Sequence, residues 1–221
     1  MSSSPVRVLI ADGLAKEGLE LLKKNPLIEI LDFGNIERTD LKEKLPQVDI
    51  LVVRSRTQVD RDLLESGRNL KIVLRAGIGL DNVDVPAASD RGIVVMNAPT
   101  GNIVTTAEHA LALIFAATRH IAQADASLRQ GKWEKKKFQG NELRGKTLGL
   151  IGLGNIGKVV ANRCQGLEMK VAAHDPYVSQ EAASRMNIQL LGLEELLATA
   201  DYISVHVPLT PATKHLINKN L

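Results

Sequence analysis

TLGLIGLGNIGKVVANRCQGLEMKVAAHDP, residues 147–176, is the stretch of this sequence that decides the fold. Gly152, Gly154 and Gly157 have the G-x-G-x-x-G spacing, after a strand-like apolar run and before a helix-like run. In that setting the first glycine permits a tight turn, the second lets the backbone approach a diphosphate, and the third lets helix and strand pack closely. The spacing therefore predicts a βαβ unit that binds a dinucleotide at the first turn of its helix.

An acidic residue ends the second strand-like run of this stretch. Asp175 follows 170–174, and it stands about 20 residues beyond the glycines, where a carboxylate accepts hydrogen bonds from the ribose hydroxyls of adenosine. A negative charge at this position repels a ribose 2′-phosphate. The sequence therefore predicts NAD rather than NADP as the cofactor, and a βαβ unit without a ligand is the alternative.

The composition is that of an ordinary globular protein, with 44% hydrophobic and 24% charged residues among 221. Aromatic residues make up only 3%, so the chain offers few platforms for base stacking, and we expect no nucleic-acid partner. The net charge of +3 suits small acidic ligands as well as it suits nucleic acid. No apolar run approaches the roughly 18 residues of a membrane span, and we expect neither a membrane partner nor a metal site. Since Cys164 is the single cysteine, no intramolecular disulfide is possible, and we expect a cytoplasmic location.

Short apolar runs alternate with helix-like segments over the first part of the chain. Such alternation predicts a parallel sheet covered on both faces, a flavodoxin-like doubly wound α/β domain over residues 1–98. The strand candidates are 6–11, 27–31, 50–53, 70–74 and 93–96, and the helix candidates are 14–23, 40–45 and 61–64.

Proline and glycine in NAPTGN, residues 97–102, mark the expected boundary. Residues 99–221 are predicted to form an NAD-binding Rossmann domain, incomplete because it has about four of the roughly six strands of a full one. Its first element is predicted to be one long apolar helix, 105–131, buried in a domain or subunit interface. A polar connector, 131–145, precedes the βαβ unit, and further strands are expected at 189–191 and 202–205 around a helix at 193–198.

Polar residues follow the strand candidates of the first domain, at the edge where open α/β sheets bind ligands. Arg54 follows ILVV, Arg75 follows KIVL and precedes Gly77, and Asn102 ends the NAPTGN turn. Two arginines in one cleft would bind a carboxylate or phosphate, although each alone could equally be a surface ion-pair residue. None of the five histidines has an identifiable carboxylate partner, so no catalytic base is assigned.

Six segments resemble the D-isomer-specific 2-hydroxyacid dehydrogenase family, and the resemblance extends over the whole chain. The segment from Gly131 is the more specific sign of the branch that acts on phosphoglycerate. The segments are VRSRTQV (53–59), LRAGIGLDNVD (74–84), VMNAPTGN (95–102), GKWEKKKFQGNELRGKTLGLIGLGNIG (131–157), HDP (174–176) and HVPLTPAT (206–213).

The resemblance implies oxidation of 3-phospho-D-glycerate to 3-phosphohydroxypyruvate with NAD, in serine biosynthesis. It also implies a homodimer that forms through a helical arm, residues 102–146. The implied substrate-binding residues are Arg54, Arg75, Gly77 and Asn102. The implied cofactor-binding residues are Ile78, Gly152, Gly154, Asn155, Ile156, Gly157, Asp175, Pro176, His206, Val207 and Pro208.

The chain departs from the family pattern in three ways. Asn155 stands where the family commonly has an arginine, and Ile78 and Val207 stand where this branch often has threonine. The family's catalytic arginine, glutamate and histidine are expected in segments that would follow Leu221, so no catalytic residue is assigned here, and we expect the 221-residue chain alone to be inactive. The alternatives are a sibling dehydrogenase acting on glyoxylate, hydroxypyruvate or lactate, and a non-catalytic NAD-sensing module resembling a corepressor that binds peptides.

Overall fold

The computed structural model describes residues 5–219. The outermost positions of the two predicted domains, 1–4 and 220–221, lie outside the described residues. The chain divides into two compact units between Asn102 and Ile103, a few residues beyond the boundary predicted after residue 98. We call these unit 1 and unit 2.

Unit 1 alternates strands and helices, as the apolar runs predicted. Its strands are β1 (Val6–Ile10), β2 (Ile28–Asp32), β3 (Ile50–Val53), β4 (Ile72–Arg75) and β5 (Val94–Asn97). Its helices are α1 (Lys16–Lys23), α2 (Arg38–Lys44), α3 (Arg61–Ser66) and α4 (Val85–Asp90), with a 3-10 turn at Leu45–Gln47. The sequence reading missed α4, which begins at Val85, directly after an N-cap residue, Asp84, whose side chain accepts from the N–H of Ala87 at 2.9 Å. An acidic N-cap followed by proline is a helix-start signal.

The sheet of unit 1 has the order β2-β1-β3-β4-β5 within the described residues, and every pairing is parallel. This is the flavodoxin-like strand order, in which the chain reverses direction between the first and third strands. Helices cover both faces, because β1 sends Leu9 into one apolar cluster and Val8 and Ile10 into another. The predicted doubly wound parallel fold is therefore confirmed.

Unit 2 begins with two helices and continues as a βαβ series. The helices are α5 (Ile103–Arg119), α6 (Ile121–Arg129), α7 (Asn155–Gly166), α8 (Gln180–Ser184) and α9 (Leu193–Thr199). The strands are β6 (Thr147–Ile151), β7 (Lys170–His174), β8 (Gln189–Leu190) and β9 (Tyr202–Val205). Strand β7 has the bounds that the sequence predicted, and α7 follows the glycine turn as predicted.

The sheet of unit 2 has the order β8-β7-β6-β9 in the part of the chain that the structure describes, again with parallel pairing throughout. In order of appearance this is 3-2-1-4, the order of the first four strands of a Rossmann sheet. The predicted partial Rossmann domain is confirmed. On one face α7 and α5 pack over Leu148 and Leu150, and on the other α9 packs over Ile151.

The prediction of one continuous helix over residues 105–131 is wrong. The helix breaks at His120, whose φ of 52° lies in the left-handed region, and α6 then ends at Arg129. The carbonyl of Thr118, which the break leaves without a helical partner, accepts from the N–H of Asn141 at 3.1 Å. The predicted arm 102–146 is thus helical only over α5 and α6, and residues 130–146 form turns and irregular connections.

None of the helices in residues 5–219 combines the length and the apolar character needed to cross a membrane. No group of three or more His, Cys, Asp or Glu side chains in that range is arranged to hold a metal ion.

Candidate functional site

The carboxyl ends of three adjacent strands of unit 2 bring the glycine turn, Asp175 and His206 together. Ile151, the last residue of β6, pairs in register with His174 of β7 and with Val205 of β9. The residues that follow, Gly152, Asp175 and His206, therefore lie side by side at one edge of the sheet. Because the strand order reverses between β6 and β9, this edge is the topological switch point at which doubly wound sheets bind ligands.

The three glycines of the turn have different surroundings. Gly152 has a φ of 95°, and a Cβ there would lie 2.9 Å from the carbonyl carbon and oxygen of His206. A Cβ on Gly157 would come closer than 3.0 Å to the carbonyl oxygen of Gly152. A Cβ on Gly154 would meet no atom of residues 5–219 within 4 Å. The first and third glycines are therefore required by packing inside the protein, whereas the second keeps open a space that the protein does not fill.

The open space lies at the start of α7, where backbone N–H groups have no acceptors in the described part of the chain. Gly154 is the N-cap residue, no side chain caps the helix, and its first turn carries no acidic residue. The N–H groups of Asn155 and Ile156 belong to that turn, in which helix geometry supplies no carbonyl partner. A diphosphate supplies oxygen acceptors and a negative charge that the helix dipole favours. The residues present therefore fit the diphosphate of a dinucleotide.

Asp175 is held in a fixed orientation beside this turn. One carboxylate oxygen, Oδ2, accepts from the N–H of Leu153 at 2.7 Å, and the other, Oδ1, accepts from the N–H of Tyr177 at 2.9 Å. The carboxylate is half-buried, and each oxygen keeps a lone pair for a further donor. The arrangement is suited to accept hydrogen bonds from two neighbouring hydroxyl groups, as the ribose of adenosine presents them.

His206 is half-buried on the other side of the glycine turn. Its N–H donates to the carbonyl of Ile151 at 2.7 Å, and its Nε2 lies 2.9 Å from Oγ of Ser204. Burial lowers the pKa of the imidazole from its ordinary value, so the ring is neutral at neutral pH. Val207 packs against the cluster that contains Ile151 and Leu196, and its side chain is half-buried.

Two prolines of the predicted cofactor set lie at the surface. Pro176 follows Asp175, and Pro208 follows Val207; both are exposed. The carbonyl of Pro208 accepts from Oγ1 of Thr213 at 2.5 Å, which ties down the segment after β9. Both prolines lie at the strand edge that carries the glycine turn.

In unit 1, two arginines without ion-pair partners follow neighbouring strands. Arg75 ends β4 and pairs in register with Val53, directly before Arg54. Within the described residues neither guanidinium has a carboxylate partner, and Nε of Arg75 is buried without any hydrogen-bond partner. The Arg75 guanidinium lies against Gly77, where a Cβ would collide with it. An uncompensated buried donor and an exposed cation at one strand edge are suited to bind an anion.

The sequence reading missed two side chains that hold the Arg54 loop, residues 54–57. Asp12 accepts from the N–H of Arg54 at 2.7 Å and from the N–H and Oγ1 of Thr57 at 3.1 and 2.5 Å. Asn82 is buried, and its Nδ2 donates to the carbonyls of Arg54 and Thr57 at 2.7 and 2.6 Å. The position of Asp12, directly after the first apolar run, was a signal that could have identified it.

The remaining predicted site residues of unit 1 lie in loops after β4 and β5. The carbonyl of Ile78 accepts from Nδ2 of Asn97 at 2.7 Å, another contact that the sequence reading missed. Asn102 lies in a turn at the end of unit 1, and its side chain is exposed. The predicted site residues therefore form two sets. The set in unit 1 is Arg54, Arg75, Gly77, Ile78 and Asn102, and the set in unit 2 surrounds the glycine turn.

This chain is similar to known proteins in both sequence and fold. Residues 111–221 match the model of the D-isomer specific 2-hydroxyacid dehydrogenase, NAD binding domain. A D-3-phosphoglycerate dehydrogenase from Archaeoglobus fulgidus is 50% identical over 97% of this chain, which spans 40% of that protein. A hydroxypyruvate reductase from Thermotoga maritima is 46% identical over 96% of this chain and 68% of that protein. The crystal structure of the TT0316 protein from Thermus thermophilus superposes with a TM-score of 0.85 at 31% identity, over 96% of this chain and 68% of that chain.

Proposed function

Because this chain belongs to the D-isomer specific 2-hydroxyacid dehydrogenase family, we propose that the whole protein oxidises 3-phospho-D-glycerate to 3-phosphohydroxypyruvate with NAD. Unit 2 is a partial NAD-binding domain of this family. The 50% identity to the A. fulgidus enzyme over 97% of the chain supports the choice of substrate. The proposal places the protein in serine biosynthesis and in the cytoplasm.

The observation that carries the proposal is the open space at Gly154 beside the fixed carboxylate of Asp175. Bound NAD would supply the acceptor for a hydride from the carbon that carries the substrate hydroxyl. The residues of unit 2 would hold the diphosphate through the first turn of α7 and the adenosine ribose through Asp175. Both contacts would orient the cofactor at the switch point of the sheet.

Replacement of Asp175 tests the cofactor assignment. Asp175→Ala removes the ribose acceptor and the negative charge, so NAD should bind at least about tenfold more weakly, a loss of roughly 1.4 kcal/mol, while NADP should lose far less. Isothermal titration of both nucleotides measures this. Asp201→Asn is the matched control, because Asp201 also anchors a backbone N–H of β6, that of Thr147 at 2.8 Å, but at the opposite end of the strand. Equal losses for NAD and NADP would contradict the assignment.

We further propose that Arg75 and Arg54 bind the phosphate or carboxylate of the substrate. Both guanidiniums lack ion-pair partners among residues 5–219, and Nε of Arg75 is buried and unpaired. Loss of a charge-assisted hydrogen bond costs about 1.5–3 kcal/mol, so Arg75→Ala should raise the KM for 3-phosphoglycerate about 10- to 150-fold and leave that for NAD unchanged. Arg91→Ala, an exposed arginine also without an ion pair in the described range, is the control.

Reduction of hydroxypyruvate is the second candidate activity. It is favoured by the T. maritima relative, of which this chain covers 68% at 46% identity. Hydroxypyruvate lacks a phosphate, so its reduction needs one anion contact fewer. Competition between hydroxypyruvate and 3-phosphohydroxypyruvate in the whole protein discriminates the two activities. A preference for the phosphorylated substrate that Arg75→Ala abolishes supports the first candidate, and a preference for hydroxypyruvate supports the second.

Helices α5 and α6 are proposed to form the interface of a homodimer. Leu113, Ile121, Leu128 and Trp133 expose 57%, 50%, 58% and 81% of their surface. Three of them, Ile121, Leu128 and Trp133, line a groove of about 570 Å³. Apolar surface of this extent is typical of an interaction site. Leu128→Glu should dissociate the dimer in sedimentation velocity, whereas Gln123→Glu, an exposed position on the same helix, should not.

A further inference from the structure

Beside the glycine turn, a serine in strand β9 and a histidine directly after the strand stand two residues apart. Ser204 pairs in register with Leu150 of β6, and the N–H of His206 donates to the carbonyl of Ile151 at 2.7 Å. The backbone of His206 lies so close to Gly152 that a Cβ there would be 2.9 Å from it. His206 is therefore fixed at the switch point between β6 and β9, where unit 2 holds NAD.

The two side chains of this pair share one hydrogen bond. Oγ of Ser204 lies 2.9 Å from Nε2 of His206. Within residues 5–219, neither Nδ1 of His206 nor the hydroxyl of Ser204 has another side-chain or backbone partner. Because burial lowers the pKa of His206, the imidazole is neutral and carries one proton, on either Nδ1 or Nε2. The site of this proton decides what the ring offers a ligand.

We propose that Ser204 is a positioning residue for NAD, because its hydroxyl donates to Nε2 of His206 and so fixes the imidazole proton on Nδ1, from which it is donated to an oxygen of the bound dinucleotide. The inference rests on the NAD site described above. It adds a task for Ser204, which none of the sequence motifs singled out, and it assigns the tautomer of His206.

Proton counting favours this tautomer over the other one. If Nε2 carried the proton, it would donate to Oγ of Ser204, and the hydroxyl proton would be left without an acceptor in a half-buried position. Nδ1 would then present a lone pair to a cofactor whose diphosphate and ribose are rich in oxygen acceptors. With the proton on Nδ1, the serine hydroxyl is satisfied, and the ring offers a donor to those oxygens.

The tautomer can be read without any ligand or mutation. A long-range ¹H–¹⁵N spectrum of the histidine-labelled chain distinguishes a protonated from an unprotonated ring nitrogen at each position. The expected spectrum of His206 is that of the Nδ1–H form, with His206→Gln providing the assignment. In Ser204→Ala the same resonances should shift toward a mixture of tautomers, and Ser204→Thr, which keeps the hydroxyl, should restore the Nδ1–H form. An Nε2–H spectrum in the unmodified chain overturns the proposal.

Titration with NAD tests whether the pair acts as a unit. Loss of one ordinary hydrogen bond corresponds to an affinity about 2- to 12-fold weaker, which is the effect expected of Ser204→Ala. His206→Ala should weaken binding at least as much, and adding Ser204→Ala to it should weaken binding no further. Ser204→Thr should bind as the unmodified chain does. Circular dichroism checks that each variant is folded.

The outcomes separate this inference from the cofactor assignment. If Ser204→Ala weakens NAD binding equally with and without His206, Ser204 acts independently of the histidine and the inference is wrong. If the unmodified chain fails to bind NAD, the cofactor assignment fails instead, while the spectrum still reports whether Ser204 fixes the tautomer.

Discussion

Alanine at Gly154 and alanine at Gly157 should separate ligand binding from stability within a single turn of helix. The two substitutions add the same methyl group three residues apart. At Gly154 the methyl group enters an open space, with no atom of residues 5–219 within 4 Å, and at Gly157 it meets the carbonyl oxygen of Gly152 closer than 3.0 Å. We therefore expect Gly154→Ala to lose NAD and keep its stability, and Gly157→Ala to lose stability.

The magnitudes follow from opposing contributions at each position. At Gly154, alanine is the poorer N-cap by about 0.5–1 kcal/mol, and it recovers about 0.4–1 kcal/mol by restricting the unfolded chain, so the net change is about zero. The backbone at Gly154, with φ of −74° and ψ of −160°, is open to alanine. At Gly157, alanine gains about 0.8 kcal/mol of helix propensity but overpacks against rigid backbone at up to about 3 kcal/mol, a net loss of about 2 kcal/mol.

Calorimetric melting and NAD titration of both variants make the comparison. Gly157→Ala should lower the Tm of unit 2 by roughly 8 °C, and Gly154→Ala should change it by no more than about 2 °C. NAD affinity of Gly154→Ala should fall at least about tenfold, because the new methyl group occupies the diphosphate space. Unchanged NAD affinity in Gly154→Ala would show that the open space is not the diphosphate site.

Three further predictions concern other parts of the chain. Asp12→Ala removes the acceptor of three hydrogen bonds of the Arg54 loop and should destabilise unit 1 by about 2 kcal/mol in calorimetry; an unchanged melting curve would contradict this. Burial raises the pKa of Cys164 to about 11, so a thiol reagent at pH 8 should label it only on unfolding, since the thiolate is about one part in a thousand; rapid labelling of the native chain would argue against burial. The hydrogen bond from Lys71 holds the pKa of Asp49 below its ordinary value. The stabilisation from the ionised Asp49 carboxylate is therefore complete above the ordinary carboxyl pKa and is lost as the pH falls through the lowered pKa of the folded state. Asp49→Asn should flatten acid unfolding curves in that range.

The parts of the fold that were predicted correctly are those that local sequence determines. Residues 147–176 hold a strand, the glycine turn, α7 and β7 in one uninterrupted run, so every contact between Asp175 and the turn is made within about one βαβ unit. The N–H of Leu153 that Asp175 binds lies 22 residues before it in the sequence. Local order of this kind leaves few alternative arrangements for the chain.

The break at His120 could not be predicted, because its cause is not local. The residues around it form helices readily, and no glycine or proline marks a stop. The break instead lies beside contacts with the connector. The N–H of Asn141 donates to the carbonyl of Thr118, and Gly140 packs against Arg119 too closely for a Cβ. A contact between Thr118 and Asn141, 23 positions apart, cannot be predicted from helix periodicity.

The arginines of unit 1 show why the proposed anion site stayed ambiguous in the sequence. Arg54 and Arg56 stand two residues apart in VRSRTQV, and either could have been an ion-pair residue. In the structure Arg56 pairs with Glu37 at 2.6 Å, while Arg54 is exposed and has no carboxylate partner within residues 5–219. The difference follows from Asp12, whose three hydrogen bonds to Arg54 and Thr57 fix the loop by its backbone. Asp12 holds this loop through its backbone and Thr57, so the placement of the arginine proposed to bind an anion depends on an acid that follows a different strand.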